Sequence, residues 1–524
     1  MDKNHWIKYV CGLLLFMASA CANDKGNYDY TELNELTIQI DDSYTAIAHE
    51  DFSITPIVTS KYFDALDYTF EWKAYDETGR QDPVVIGTDL NLHGELLLLQ
   101  GDYRLVLNIR EKETGIYYQQ TASLRVNTPT SLGWLVLCSD NGRVRLDMVS
   151  HIKMADNVYY DLLKGTELAD WQTPYQLVCD PRMEEPFYLV AGSGCTRLSN
   201  TEFQWNESYQ LANEFGSGAY SGTIRYLATR FPGKLVIKSN GAVHYCNTLM
   251  GDGLFGTVRT NGFYVAPAVG YNALAEFVVP AFMMWDKNNK RFVVCASEFN
   301  TIGLDNVRDI PMGNLPEYGF STLNEELFPW PRLSDRMDLV HMENTRYDKN
   351  QSENGVTYAV LSKGSQRFLY GIILGNLYGF LDNKYGAAYE KAYYVDLSDC
   401  TEITSATQFA FSSLKSYMYY AVEGRVYRVN FSTAMPTAEL QFELPSDEQI
   451  VLMKFYLCQQ DDTNNRSYNL IVASRDKHTG ENRLRIYDGF SCEGIFKDAQ
   501  PMEEYDGFAD IVDVIYRENI IYRQ

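Results

Sequence analysis

The chain has 524 residues, with 45 Lys and Arg against 69 Asp and Glu, giving a net charge of −24. That length exceeds one ordinary domain of about 100–200 residues, and the charge argues against nucleic acid or anionic lipid as a partner, since phosphate binding needs a basic face. A hydrophobic share of 45% with 22% charged residues excludes a largely disordered chain, while 39 Tyr, 26 Phe and 36 Gly favour β-structure punctuated by turns.

The N-terminus carries Lys3 and Lys8, an apolar run from Tyr9 to Met17, and then Ala18-Ser19-Ala20-Cys21. This order reads as a secretory signal over residues 1–20, with an apolar run of about twelve residues that is too short to span a bilayer. Small residues directly before a Cys resemble the lipobox of bacterial lipoproteins, with Ala18 where Leu is usual. Cys21 is therefore expected to be acylated and to become the mature N-terminus; the other reading is an ordinary signal cut near Ala20. Each buried acyl CH₂ is worth about 0.8 kcal/mol, so several chains hold a protein at a membrane without a transmembrane helix. Residues 21–33, polar and Gly-containing, read as a tether that reaches roughly 30 Å when extended.

From Leu36 to Val126 apolar residues alternate with polar ones: Leu36, Ile38, Ile40; then Tyr68, Phe70, Trp72; then Tyr103, Leu105, Leu107, Ile109. Strands of this period bury one face and wet the other, and several within about 90 residues predict a small antiparallel sandwich over 34–127. No Cys lies between Ala22 and Leu137, so no disulfide joins the sheets, and Trp72 is the expected centre of the core.

Asn127-Thr-Pro-Thr130 reads as a domain boundary. Beyond it, over 131–524, an apolar run followed by a polar Gly or Asn turn recurs seven times, beginning at Trp134, Phe187, Lys234, Phe282, Tyr358, Tyr417 and Leu470. A period near 40–50 residues with several strands per unit is the signature of a β-propeller, here of seven blades. Asn300 to Asn354 reads as a loop insertion. Ile511 to Tyr516 is a strand without a hairpin partner, placed to complete the first blade. The competing arrangement is a set of hairpins folded as two sandwiches. No segment reads as a long amphipathic helix.

Cys21, Gly26-Asn-Tyr-Asp-Tyr30, Tyr68-Thr-Phe-Glu-Trp-Lys73 and Gly101-Asp-Tyr-Arg-Leu105 together resemble the PKD-like lipoproteins of Bacteroidetes, and Gly133-Trp-Leu-Val-Leu-Cys-Ser-Asp-Asn-Gly142 is similar to the start of their propeller-like region. The resemblance implies an Ig/PKD-like sandwich followed by a propeller, on an outer-membrane lipoprotein facing the cell exterior. It also implies partnership with SusC/SusD-type transporters and help in capturing glycan or peptide. Surface export in that phylum favours several acidic residues after the lipidated Cys; here there is only Asp24.

Motifs of catalysis and metal binding are sparse. Gly251-Asp-Gly-Leu-Phe-Gly256 matches a dinucleotide loop in letters, but the strand–helix context that such a site requires is missing, and Thr257 to Val265 reads as a further strand pair. There is no CxxC, HExxH or GxSxG, and the six His of the mature chain are scattered. Asp286-Lys-Asn-Asn289 and Asp461-Asp-Thr-Asn-Asn465 hold oxygen ligands suited to calcium, though hairpin turn chemistry accounts for them more simply. Glu184-Glu185 and Glu503-Glu504 are adjacent carboxylates, which in so acidic a chain read as loop charge. Eight Cys follow Cys21, with Cys179 and Cys195 the closest pair in sequence; most sit in apolar runs and read as buried thiols.

Trp171, Trp205 and Trp330 fall outside the hairpin runs and are the candidate ligand-binding residues, because sugar C–H faces stack on indole rings. Their alternative role is to plug blade interfaces. The expected function is that of a non-enzymatic lipoprotein without cofactor or metal, which binds glycan or peptide beside a SusC/SusD-type transporter. A propeller-based glycoside hydrolase or lyase is the alternative, to be favoured by carboxylates, His or Tyr clustered in the central channel. An adhesion or scaffold protein is a third.

Overall fold

The computed structural model describes residues 35–518, apart from 80, 153–156, 181–185, 201–202, 217–219, 231, 249–252, 259, 261, 272–280, 297–306, 310–327, 347–354, 375–388, 434 and 459–463. The signal, Cys21 and the tether lie outside the described residues. The chain divides into two compact units, one ending at Asn127 and the other starting at Thr128.

Nine strands build the first unit: β1 (Thr37–Gln39), β2 (Ser43–Ile47), β3 (Asp51–Ile54), β4 (Ile57–Thr59), β5 (Tyr68–Asp76), β6 (Val84–Gly87), β7 (Leu92–Glu95), β8 (Gly101–Glu111) and β9 (Tyr117–Asn127). A five-stranded sheet runs β2-β9-β8-β5-β6, joined by the pairs β1-β4 and β3-β7. Tyr103, Leu105, Leu107 and Ile109 of β8 are buried as their alternation predicts, and Trp72 is fully buried among them. Its indole N–H donates to the carbonyls of Asp89 at 3.1 Å and Leu90 at 3.3 Å. The sheet departs from the antiparallel expectation at one edge, where β2 lies parallel to β9, with Ser43 opposite Ser123. The long stretch of chain between Ile47 and Tyr117 leaves that pairing free of the hairpin constraint that makes sequential strands antiparallel.

The second unit holds seven sheets. The first contains β10 (Gly133–Asp140), β11 (Arg143–Ser150) and β12 (Val158–Tyr159); the second β13 (Pro174–Cys179), β14 (Phe187–Ala191) and β15 (Gly194–Leu198); the third β16 (Ile224–Arg230), β17 (Gly233–Lys238) and β18 (Val243–Asn247). Four strands form each of the rest: β19 (Val265–Tyr271), β20 (Ala281–Asp286), β21 (Arg291–Ala296) and β22 (Val307–Asp309); β23 (Asp338–Thr345), β24 (Val356–Lys363), β25 (Gln366–Leu374) and β26 (Tyr389–Asp396); β27 (Gln408–Phe411), β28 (Tyr417–Val422), β29 (Arg425–Asn430) and β30 (Ala438–Glu443); β31 (Glu448–Lys454), β32 (Leu470–Asp476), β33 (Asn482–Tyr487) and β34 (Glu503–Phe508). The last strand, β35 (Asp510–Arg517), pairs antiparallel with β10, setting Trp134 opposite Tyr516. The C-terminal strand thereby becomes the innermost strand of blade 1, as the partnerless run at Ile511 implied.

The seven hairpins read from sequence are β10–β11, β14–β15, β17–β18, β20–β21, β24–β25, β28–β29 and β32–β33. Their first strands read as unbroken apolar runs because both faces are buried. Trp134, Val136 and Cys138 pack towards blade 7, while Leu135 and Leu137 pack towards blade 2. Seven apolar clusters fill the seven interfaces between successive blades, from blades 1 and 2 round to blades 7 and 1. Innermost strands neighbour one another in the order β35, β13, β16, β19, β23, β27, β31 and back to β35. This closed ring is a seven-bladed propeller and excludes the two-sandwich arrangement. Closure turns the inner edge of each sheet to the axis, where only side chains of neighbouring blades can pair with it.

One interval differs from its reading. The stretch taken as a loop insertion, Asn300 to Asn354, contains β22 and the innermost strand of blade 5, β23. Asp338-Leu-Val-His-Met-Glu-Asn-Thr345 is polar at every second or third position and bulged at Val340, so it carries no clean period. No α-helix occurs among the described residues, and none is long and apolar enough to cross a membrane.

Candidate functional site

Each blade folds as antiparallel strands and returns the chain to its starting side, so the seven innermost strands run in the same sense and end at one mouth of the axial channel. Their inward edges present backbone N–H groups that no further strand can satisfy. Side chains from the neighbouring blade take these donors. Asp513 Oδ2 accepts from Leu177 N at 3.0 Å, Gln176 Oε1 from Leu227 N at 3.1 Å, Asn344 Oδ1 from Tyr271 N at 3.1 Å, and Glu343 Oε1 from Phe411 N at 2.7 Å. Lys454 Nζ of blade 7 donates to Asp513 Oδ1 at 2.7 Å, which bridges the point of closure.

Six of the seven innermost strands also carry a bulge near their start. The extra residues are Tyr175, Arg225, Val340, Val451 and Val512, with Ala266 to Ala268 in blade 4. A bulge bends a strand and re-aims the side chain it inserts. At the channel mouth where the strands begin, the Arg225 guanidinium stacks over the Tyr175 ring at 4.1 Å.

Tyr271, the last residue of β19, and Tyr456, two residues beyond β31, lie towards the mouth where the innermost strands end, while Tyr226 is the third residue of β16, next to Arg225. All three are half-buried. Burial pushes each hydroxyl above its ordinary range, and the charges of neighbours add to this: Tyr271, Asp513 and Glu343 on Tyr226, and Cys179, Glu518, Cys458 and Tyr271 on Tyr456. For Tyr271 the upward push of burial is opposed by Arg230 and Arg346. Gln176 hydrogen-bonds Tyr226, and Tyr456 hydrogen-bonds the buried Cys179 thiol. At pH 7 the three phenols are neutral and can donate or accept.

The acids of this region are committed. Glu343 accepts from Phe411 N through Oε1 and meets His341 Nε2 through Oε2 at 2.6 Å, and Asp513 is taken by Leu177 and Lys454. His341 lies against Phe409 and Phe411, with ring centroids 5.9 and 6.2 Å away. A hydroxyl–imidazole–carboxylate series joins Tyr516, His151 and Glu503, at 3.0 Å and 3.3 Å. Its hydroxyl is sealed, since Tyr516 is 1% exposed, so no substrate reaches it. Glu503 also accepts from Trp134 Nε1 at 2.9 Å and thus links blade 7 to blade 1.

The three tryptophans singled out in sequence lie at interface cores, Trp171 and Trp205 against the same core as Tyr456. Trp330 is 5% exposed, in the core between blades 4 and 5 beside Phe328. Trp171 and Trp205 are half-buried against the core between blades 1 and 2; Trp205 Nε1 donates to Thr196 Oγ1 at 2.8 Å. The axial tyrosines escaped the sequence reading because nothing in their flanks separates them from 36 others. Their one legible mark is position, in the weaker strand that ends just before a hairpin run or its connecting turn.

The remaining motifs resolve into turns and packing. Asp286 Oδ1 accepts from Asn288 N and Asn289 N, and its Oδ2 from Asn289 Nδ2 and Arg291, as a hairpin turn requires. Gly251 and Asp252, Glu184-Glu185 and Asp461 to Thr463 lie outside the described residues. Phe255 is fully buried, and Gly256 O accepts from His244 Nδ1 at 2.8 Å, within the segment that returns the chain from blade 3; strand structure resumes only at Val265 rather than spanning Thr257 to Val265. Glu504 pairs with Arg485 at 2.9 Å. Among the described residues the eight cysteines are free thiols, seven of them buried, and no group of three metal-ligating side chains occurs. Burial pushes the Cys179 thiol well up, and the Cys400 thiol to about 11, which keeps both protonated and unreactive.

Residues 21–170 match the PKD-like family, a span that covers the sandwich and continues into blade 1. No curated protein matches the sequence. Among solved structures, a quinonprotein alcohol dehydrogenase-like protein from Bacteroides thetaiotaomicron is 12% identical, with 92% of this chain and 97% of that chain covered and a TM-score of 0.42. A protein of unknown function from the same organism is 14% identical, covering 75% and 96%, with a TM-score of 0.26. The blade count and the ring closure rest on the strand pairings and interface cores described above.

Proposed function

We propose that this protein is an outer-membrane lipoprotein, anchored through Cys21 and facing the cell exterior, that binds a glycan or peptide at the axial end of its propeller and serves a SusC/SusD-type transporter as an uptake accessory. The observation that carries the binding role is that Tyr226, Tyr271 and Tyr456 are half-buried on, or just beyond, the innermost strands of three blades of one closed ring. Phenol rings offer stacking faces and their hydroxyls offer hydrogen bonds, which is what a sugar or an extended peptide needs. A tether on the membrane would raise the effective concentration of ligand beside the channel that imports it. Binding without catalysis is favoured because, among the described residues, the axial carboxylates Glu343 and Asp513 already hold backbone amides and cationic or imidazole partners, so neither is free to serve a glycosidic bond.

The test is affinity purification from detergent-solubilised outer membranes, comparing the lipidated protein with Cys21→Ala. Co-purification of a SusC/SusD-type transporter with the lipidated form supports the accessory role. Recovery of the protein alone, from membranes shown to contain the transporter, removes it.

A second reading, a glycan-active enzyme, is favoured by the same tyrosines together with His341, whose Nε2 is held by Glu343 at 2.6 Å in a carboxylate–imidazole pair. Release of reducing ends from a polysaccharide by the wild type, abolished in His341→Ala and Tyr271→Phe, would establish it.

A further inference from the structure

Away from the axis, the outermost strands of blades 1 and 7, β12 and β34, border a cavity of about 370 Å³ together with β33. Val158, Tyr160, Arg483, Glu504, Tyr505 and Asp506 line it, and its size falls within the range of about 300–1,000 Å³ usual for small-ligand sites. Tyr160 is 47% exposed yet held on several sides. Its hydroxyl donates to Asp506 O at 3.0 Å, the Arg145 guanidinium lies over its ring at 5.3 Å, and Phe508 meets it edge-on at 6.2 Å. Arg145 is in turn fixed by Asp147 at 2.8 Å and by Gly507 O at 3.2 Å. Gly507, at a φ of +81°, permits this seat, since a Cβ there would stand 2.5 Å from the Tyr160 hydroxyl. An exposed ring fixed in this way loses little freedom when a ligand stacks on it.

The polar lining keeps unused capacity of both kinds. Arg485 holds Glu504 Oε1 at 2.9 Å, while Glu504 Oε2 and the Asp506 carboxylate have no hydrogen-bond or ion-pair partner among the described residues. Arg483 gives Nη1 to Glu448 at 2.7 Å and keeps Nε. A lysine side chain would answer the two carboxylates but face Arg483, and an anion would do the reverse. A sugar hydroxyl donates one hydrogen and accepts through two lone pairs, so neighbouring hydroxyls serve carboxylate and guanidinium together while the C–H face of the sugar lies on a phenol. We propose that this cavity binds a neutral glycan, with Tyr160 as the stacking platform, Asp506 and Glu504 accepting from hydroxyls and Arg483 donating to them. The site needs none of the axial tyrosines and stands or falls apart from them.

Affinity electrophoresis of the full lipidated chain in detergent, through gels containing dextran, galactomannan or xyloglucan, with polygalacturonate as the charged comparison, tests it. The expected result is retardation by at least one neutral polymer, weakened about tenfold or more in Tyr160→Ala and in Asp506→Ala and little altered by salt, since the ligand carries no charge. Asp506→Ala removes an exposed carboxylate and keeps the carbonyl that holds Tyr160, so its thermal melt should match wild type. Tyr160→Phe keeps the ring but releases its hydroxyl tie, and is expected to weaken binding less. Retardation unaltered in both alanine variants overturns the site; if Tyr271→Phe removes it instead, the axial binding role stands without this one. Stronger retardation by polygalacturonate than by every neutral polymer overturns the ligand class. Absence of retardation by every polymer overturns the proposal, and a fluorescent oligolysine bound by the wild type but lost in both alanine variants would then give the cavity to a basic peptide.

Discussion

The carboxylate of Asp513 accepts the backbone N–H of Leu177 at 3.0 Å across 336 positions of sequence. It joins the last strand of the chain to the first strand of blade 2, and its second oxygen takes the ammonium of Lys454 from blade 7. One side chain therefore holds the closing strand to both of its neighbours. Three other blade junctions repeat the device with Gln176, Asn344 and Glu343, so the axial edges are tied by side chains where a barrel would use strands.

Removing this tie predicts a measurable loss. Asp513→Ala strands a buried amide and a partly buried ammonium, and is expected to cost about 2–4 kcal/mol. Asp513→Asn keeps an acceptor for Leu177 and should cost less. Urea unfolding followed by near-ultraviolet circular dichroism would measure both, and an unchanged midpoint for the alanine variant would show that closure rests on the apolar interface alone.

The axial ties explain how much of this fold the sequence discloses. The first strand of each hairpin lies between two blades, so Leu135 and Trp134 are both buried and the run is apolar throughout. The innermost strands must satisfy edge donors and carry bulges, so Gln176, Arg225, Glu343 and Asp513 interrupt their period. Seven hairpins were therefore legible while six innermost strands were not, and β35 stood out because it follows the last hairpin with no turn behind it. The axial tyrosines went unread for the same reason: Tyr226, Tyr271 and Tyr456 stand on, or just beyond, innermost strands of separate blades, which form one ring only on closure. The tryptophans were conspicuous by rarity, yet rarity reports mass to be buried as readily as a surface to bind.

A second prediction concerns acid. Glu448 is 2% exposed at its side chain; Arg485 meets it at 2.6 and 3.0 Å, Arg483 at 2.7 Å and Ser474 Oγ at 2.5 Å. Burial pushes its carboxyl up, but the hydrogen bonds from Arg485 and Ser474 and the charges of both arginines outweigh this and hold it below the usual range. A carboxyl lowered in the folded state adds stability that is present above its unfolded pKa of about 4.5 and is lost as pH falls through the folded value. Glu448→Gln, which breaks one side of a buried pair, is expected to cost about 3–5 kcal/mol near pH 7. The difference from wild type should shrink steadily below pH 4.5; a pH-independent difference would show that the ion pair is not its source.

Asp147 carries the opposite sign. Its side chain is fully buried beside Arg145 at 2.8 Å, with the Asp161 N–H at 2.8 Å, and desolvation outweighs these partners and raises its carboxyl. Its contribution to stability is full at low pH and is lost as pH rises through the folded value. In Asp147→Asn the stability difference from wild type should therefore drift against the wild type between pH 3 and pH 7. Parallel thermal melts across that range would measure it, and a drift in the same direction as at Glu448 would contradict the burial argument.

Gly133 opens the propeller at a φ of +143°, and a Cβ placed there would stand 2.0 Å from the Val149 carbonyl oxygen. Both the backbone region and the close approach demand glycine. Gly133→Ala is expected to cost about 2–4 kcal/mol through displacement of β11. Hydrogen exchange should show the loss first in β10 and β35, which pair directly with one another at Gly133 and Arg517. Unaltered protection there would mean that the Val149 carbonyl moves aside at little cost.

Trp330, Trp205 and Trp171 separate packing from ligand contact. Trp330 lies among Phe328, Phe292 and Tyr370 of one interface, and Trp330→Ala should cost about 3–5 kcal/mol by leaving a cavity. Trp205→Ala breaks the bond to Thr196, and Trp171→Ala uncovers Gly194, whose Cβ position lies 2.9 Å from the indole. Each of these two is half-buried and should cost about 1–3 kcal/mol. If the tryptophans serve as interface plugs, all three variants lower the melting temperature, and the folded fraction that survives binds glycan as wild type does. A variant at Trp171 or Trp205 that melts normally but loses binding would move the ligand surface from the axial mouth to the junction of blades 1 and 2. Tyr456→Phe on the same scale supplies the contrast, since it keeps the ring that packs against the cores between blades 1 and 2 and between blades 7 and 1, and removes only the hydroxyl with its bond to the Cys179 thiol.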